Sequence, residues 1–242
     1  MRYRSILPAM LAIALYPFCA LASEDETHVY LADGELNYVG SLSAEANAKL
    51  FALYSSQQTK PNTLSIRSPG GDTVVGIELG QWVHVNKLDV KVLEGCYSSC
   101  ANYVFTAGRH KIVSNFAHIG YHGGLSSISF KIDDASVAAL AAAQKDGEKI
   151  TRENVLQTIK KMFAPQLELE TKYFALIGVQ QRITTLGQSE ESRKSAPKDA
   201  QGWTYSIKDF AALGVSNIQV INPPWRPELN PSRNLIYKLS VE

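Results

Sequence analysis

Between residues 62 and 121, short apolar runs alternate with amphipathic ones, and each run is bounded by a residue that caps or stops it. Residues 62–67 read as a strand ending at Ser68-Pro69-Gly70-Gly71. Asp72 then caps a helix whose apolar positions are Val74, Ile77, Trp82 and Val83. Residues 89–94 form the next strand, 99–107 a helix closed by Gly108, and 111–113 and 117–121 two more strands. Strand, helix, strand, helix, strand in succession predicts an α/β fold built from right-handed crossovers. Upstream, 28–31 and 36–39 flank Asp33-Gly34 as a hairpin, and Ser43 caps a helical run through Leu50 and Tyr54. Ligands in such sheets bind at the carboxyl ends of the strands. Gly70-Gly71, Ser98-Ser99 and His122 each fall just after a strand, on that edge.

The flanking segments set the organisation. Met1-Arg2-Tyr3-Arg4, an apolar run of 6–18 and Ala20-Leu21-Ala22 have the three parts of a secretory signal peptide, expected over 1–22 with Cys19 inside it. An α/β domain is then expected over 23–222, with a helical excursion at about 133–186 that breaks near Pro165. The polar stretch 188–201 reads as a loop, 206–213 as a helix stopped by Gly214, and 217–221 as a last strand. The proline-rich tail 223–242 is expected to wrap the surface or a neighbouring subunit. With 24 Lys and Arg against 23 Asp and Glu, and no basic stripe with interleaved aromatics, nucleic acid is not an implied partner. No second apolar stretch is long enough to cross a membrane, so an exported protein, periplasmic or secreted, is expected. Without Cys19, an even pair remains, Cys96 and Cys100: a disulfide in an oxidising compartment, or else two buried thiols.

Three groups on the presumed ligand edge suit acyl transfer. A paired glycine can turn backbone N–H groups toward an oxyanion, a serine among small residues can attack a carbonyl, and a histidine can take its proton. Of the five histidines, His122 alone lies between a strand end and a glycine pair on that edge. His118, four residues before it and on the same strand face at a period of two, raises a metal alternative, but no cysteine or carboxylate nearby completes a ligand set, so neither metal nor cofactor is expected. Ser98 and Ser99 also suit helix capping, which is compatible with catalysis, since a helix N-terminus favours developing negative charge.

Residues 62–125 resemble the proteolytic subunit of the Clp protease, within the Clp/crotonase fold. The likeness runs through Ser68-Pro69-Gly70-Gly71, Lys87-Leu88-Asp89-Val90, the Ser99 helix ending Thr106-Ala107-Gly108, and Gly120-Tyr121-His122. Asp209-Phe210-Ala211-Ala212-Leu213-Gly214-Val215 is similar to that family's last helix, and Cys96-Tyr97-Ser98-Ser99-Cys100-Ala101-Asn102-Tyr103 to a group of exported bacterial relatives. The resemblance implies a spiral of ββα units with a helical excursion. It implies Ser99 as nucleophile with Ser98 as the alternative, His122 as base, Asp199 as the orienting acid, and Gly71 with the Cys100 N–H as oxyanion hole. For the acid, the count back from Gly214 reaches Lys198, one short of Asp199, and Glu190 or Glu191 are further choices.

The expected function is an exported serine hydrolase, an ATP-independent peptidase acting on peptides or unfolded chains and assembled as a homo-oligomer. A Ser–Lys dyad using Lys160, Lys172 or Lys194 is a variant of it. A non-catalytic, peptide-binding envelope protein and a crotonase-type enzyme acting on acyl-CoA are the other readings.

Overall fold

A computed structural model of the protein describes residues 26–127, 151–230 and 236–241. The expected signal segment, Cys19 and the Ala-rich run 135–143 lie outside the described residues. β1 (His28–Ala32) and β2 (Glu35–Val39) form the expected hairpin, paired from His28–Val39 to Ala32–Glu35. Asp33 and Gly34 both take positive φ, 52° and 76°, the pairing that matches a tight turn to the twist of its strands. The chain continues through α1 (Ala44–Ser56), β3 (Thr63–Arg67), α2 (Thr73–Val85), β4 (Asp89–Val92), β5 (Gly95–Tyr97) and α3 (Cys100–Phe105), which has the wider π-type winding. Ser43 Oγ accepts from Ala46 N at 3.1 Å and Asp72 Oδ1 from Val75 N at 3.0 Å, so both expected caps are made.

After β6 (Lys111–Ser114) and β7 (His118–Gly120) come α4 (Arg152–Ile177), α5 (Glu190–Ser195), β8 (Gly202–Tyr205), α6 (Ile207–Ala212), β9 (Ile218–Ile221) and β10 (Ile236–Leu239). The fold is mixed α/β. Its main sheet runs β1-β2-β3-β4-β6-β9, parallel except for β1, and two small parallel sheets, β5-β7 and β8-β10, accompany it. A Tyr121–Trp203 bridge joins the two small sheets. Buried aromatics fill the interior beside them: Tyr121 against Tyr205 at 5.4 Å, Tyr205 against Phe210 at 5.4 Å, Phe105 against Phe210 at 5.7 Å.

Three expectations are corrected. α4 runs unbroken through Pro165, because that residue is exposed and its missing N–H and ring fall on the solvent side, while Glu170, Tyr173 and Phe174 anchor the helix beyond it. The 188–201 stretch contains α5, capped by Ser189 and carrying a Lys194–Glu190 pair one turn apart. The strand read over 89–94 ends at Val92, and a separate strand, β5, follows and leaves the main sheet to pair with β7. Among the described residues no helix is long and apolar enough to cross a membrane.

Candidate active site

The glycine turn is built onto β5. Ser68 N donates to Gly95 O at 3.1 Å and Tyr97 N to Ser68 O at 3.0 Å, while the buried Ser68 Oγ accepts from Gly70 N at 3.1 Å. Gly70 has φ +102°, and a Cβ there would stand 2.6 Å from Ser98 Cβ and 2.8 Å from Tyr97 O. Both the backbone angle and the close approach require glycine. Gly71 packs against Leu42, its carbonyl faces Ser99, and its N–H makes no hydrogen bond among the described residues.

The two serines differ sharply. Ser98 occupies the turn between β5 and α3 with φ +54°, a left-handed conformation uncommon for a residue with a side chain. Its N–H donates to Gly120 O at 2.9 Å and its carbonyl accepts from Asn102 N at 2.8 Å, so neighbours on both sides hold the conformation. The residue is half-buried, and its hydroxyl makes no hydrogen bond among the described residues. Ser99 is 3% exposed, and its Oγ donates to Gly71 O at 2.8 Å. Neither hydroxyl caps α3. The Ser99 N–H, at the entry to α3, is without an acceptor among the described residues. Cys96 and Cys100 bracket the serines as a buried pair at disulfide distance, Cα to Cα 5.3 Å.

The β5–β7 register pairs Tyr97 with Gly120, which carries His122 to the same turn as the serines. His122 is exposed. Its carbonyl accepts from Gln188 Nε2 at 2.9 Å, and that of Gly123 from Asn102 Nδ2 at 2.8 Å. The following backbone is anchored on Glu170, fully buried on α4, whose carboxylate accepts from Leu125 N at 3.2 Å and Ser126 N at 3.1 Å. Tyr103 Oη at 2.7 Å and Gln181 Nε2 at 2.9 Å complete that set. Burial beside this carboxylate raises the Tyr103 phenol far above its ordinary range, so it is a committed donor.

The His122 ring bonds neither serine nor any carboxylate among the described residues. Asp199 is exposed and without a polar partner there; it lies three residues before Gly202, which packs against Tyr121 with its Cβ position 3.7 Å from His122 Cβ. Thus the turn gathers Gly70, Gly71, Ser98, Ser99, Cys100 and His122, and brings the chain carrying Asp199 alongside without contact. Lys172 and Lys194 are exposed and paired with Glu168 at 2.6 Å and Glu190 at 2.7 Å. His118 is buried with Nε2 2.7 Å from Pro227 O and Nδ1 3.0 Å from Tyr97 Oη, so both ring nitrogens are engaged in hydrogen bonds.

Sequence reasoning passed over Asn102, Glu170 and Gln188, which hold the His122 loop. Glu170 does carry a signal, a lone acid at helical spacing with Tyr173, Phe174 and Ile177. Gly76 and Gly80 carry another: four apart on α2, they allow its close approach to Ser99 and Tyr103, themselves four apart. Chemically, the turn offers a hydroxyl in a constrained conformation, backbone N–H groups at a helix entry, and an imidazole on the adjoining strand end. No protein-family model matches the chain and no curated protein matches it, so the chemistry of this turn rests on its own residues.

Proposed function

We propose that the chain is a Clp-protease-like serine hydrolase of the Clp/crotonase fold, with Ser98 rather than Ser99 as its nucleophile. The observation that carries this reading is the left-handed Ser98 at a strand-to-helix turn, its hydroxyl unengaged while that of Ser99 is spent on Gly71 O. A sharp turn of this kind is how a nucleophile is lifted clear of its own backbone at a helix entry. Ser98 Oγ attacks a substrate carbonyl as His122 takes its proton, and the oxyanion rests on the N–H groups of Gly71 and Ser99. With Ser98 attacking, Ser99 replaces Cys100 as the second donor, since it is the residue after the nucleophile. His122 then protonates the leaving amine, and water, deprotonated by His122, releases the acyl group. Asp199 orients His122 when the site closes on substrate. The substrate is a peptide or unfolded chain met outside the cytoplasm, so the reaction runs without ATP, and α4 belongs to the excursion through which copies assemble.

A second reading, a groove that binds peptides without cleaving them, is favoured by the His122 ring bonding neither serine and by the exposed Asp199. Labelling by a fluorophosphonate separates the two, because only a serine activated by a base reacts. The wild type should label at Ser98, with labelling lost in Ser98→Ala and His122→Ala and kept in Ser99→Ala. Labelling at Ser99 would restore the register that the family resemblance implies. A wild type that takes up no probe would make the binding protein the better reading.

A further inference from the structure

At the end of α3 away from Ser98, a cavity of about 240 Å³ opens between the end of α2, the turn after α3, the start of β6, the end of α4 and the turn before β9. Its lining includes His84, Lys87, Arg109 and Lys111, and no carboxylate. Lys111 is 5% exposed as a residue, its amine keeps contact with the cavity, and that amine makes no hydrogen bond or ion pair among the described residues. A buried cation without a counter-charge is costly, and proteins pair such groups or bind an ion with them.

The nearby groups do not answer it. Asp89 is committed to Arg109, with Nε to Oδ1 at 2.9 Å and Nη2 to Oδ2 at 3.1 Å, and it also meets His110 Nδ1 at 2.9 Å. The Asn217 amide donates to Arg109 O at 3.3 Å and the Thr106 hydroxyl to Asn102 O at 2.7 Å. Positive charge at helix ends is common, since α2 and α4 both finish here and present carbonyls. Lys111, however, stands on a strand, and its amine bonds none of those carbonyls. Burial pushes the amine down to about 8, which leaves it mostly protonated at neutral pH.

We propose that this cavity binds a small multivalent oxyanion, phosphate or sulfate, on the Lys111 amine, with Lys87, His84 and the Ser216 hydroxyl completing the shell. The volume is below the roughly 300–1,000 Å³ of pockets that take organic ligands, which favours an inorganic ion or the head of a phosphate monoester. The site is independent of the serine chemistry, and activity is not its readout.

Calorimetry and thermal melts of the whole protein at neutral pH test it, using sodium phosphate, sodium sulfate and glycerol 3-phosphate against sodium acetate and sodium chloride at matched ionic strength. The wild type should give a saturable heat and a melting midpoint that climbs with the logarithm of phosphate or sulfate concentration, but not with chloride. Glycerol 3-phosphate binding as tightly as phosphate would widen the ligand to monoesters; its exclusion would confine the ligand to the free ion. Lys111→Met should weaken binding about tenfold or more while melting no lower than wild type in chloride, because an apolar chain replaces an unpaired charge on a mostly buried stem. Lys87→Asn, chosen because asparagine tolerates the φ of +52° at that position, should keep the fold and weaken binding by a smaller factor. A wild type indifferent between phosphate and matched chloride overturns the site, as does undiminished binding in Lys111→Met. Should Lys111→Met fail to fold, unchanged affinity in Lys87→Asn overturns the proposed shell around the ion.

Discussion

Two adjacent serines differ, at the scale of single residues, in what each hydroxyl touches. Ser99 Oγ ties α3 to the glycine turn, a contact worth about 1 kcal/mol of stability and closed to chemistry while it lasts. One residue earlier, the backbone itself is held in a conformation that exists only because Gly70 leaves room beside Ser98. The neighbouring Tyr97 leads to a titratable group with a consequence for pH. The Pro227 carbonyl can only accept, so His118 carries its proton on Nε2, and Nδ1 accepts from Tyr97 Oη. Burial holds the His118 pKa below its ordinary value of about 6.5, against the opposing pull of the Pro227 carbonyl. Below about 6.5 the unfolded chain therefore binds more protons at this residue than the folded one does. The contribution is complete above that pH and is lost as pH falls toward the lower folded value. Thermal midpoints measured from pH 5 to 8 should drop on the acid side, and His118→Asn should flatten that part of the curve. An unchanged acid limb would show that other groups govern it.

Between elements, α4 supports the short turn that follows His122. Residues 123–127, after His122, join no strand among the described residues, and the Leu125 and Ser126 N–H groups instead find the Glu170 carboxylate on α4. Replacing Glu170 by alanine strands the Tyr103 hydroxyl and the Leu125 and Ser126 N–H groups, and should cost about 3 kcal/mol or more in urea unfolding. Glu170→Gln, which keeps an acceptor, should cost less. Both should speed proteolytic cutting just after His122, while a purely local packing role would leave that cutting rate tied to global stability alone. Tyr173 Oη reaches the Tyr103 carbonyl in the same region, so α4 braces α3 and the His122 loop together.

Across the whole molecule, the small β5-β7 sheet is clamped from several directions. The Cys96–Cys100 link ties β5 to α3, and the segment after β9 straps the sheet through Trp225 Nε1 to Ala117 O at 2.9 Å and Asn230 Nδ2 to Phe116 O at 2.9 Å. A loop this short removes roughly 2 kcal/mol of unfolded-chain entropy when closed. Denatured, unreduced protein should therefore show no free thiol at either position. The Cys96→Ala, Cys100→Ala double variant should lose about that much stability yet still label at Ser98, because Gly120 and Asn102 also hold that residue. Loss of labelling in a folded double variant would make the link the main support of the turn. Local chemistry made much of this legible in advance: the hairpin at Asp33-Gly34, the caps at Ser43 and Asp72, the stop at Gly214, the glycine turn and the alternation of strand and helix all depend on residues within a few positions of one another. Pro165 and the 188–201 stretch misled because solvent exposure and a capped, charge-paired turn outweighed composition. Ser98 and Ser99 share one local environment in the sequence and are told apart only by Gly70, Gly71 and Gly120, brought from distant segments. The same holds for Glu170 and Lys111: an acid and a base are visible in the chain, but only the tertiary structure decides that one meets four donors and the other lines a cavity without a protein partner among the described residues.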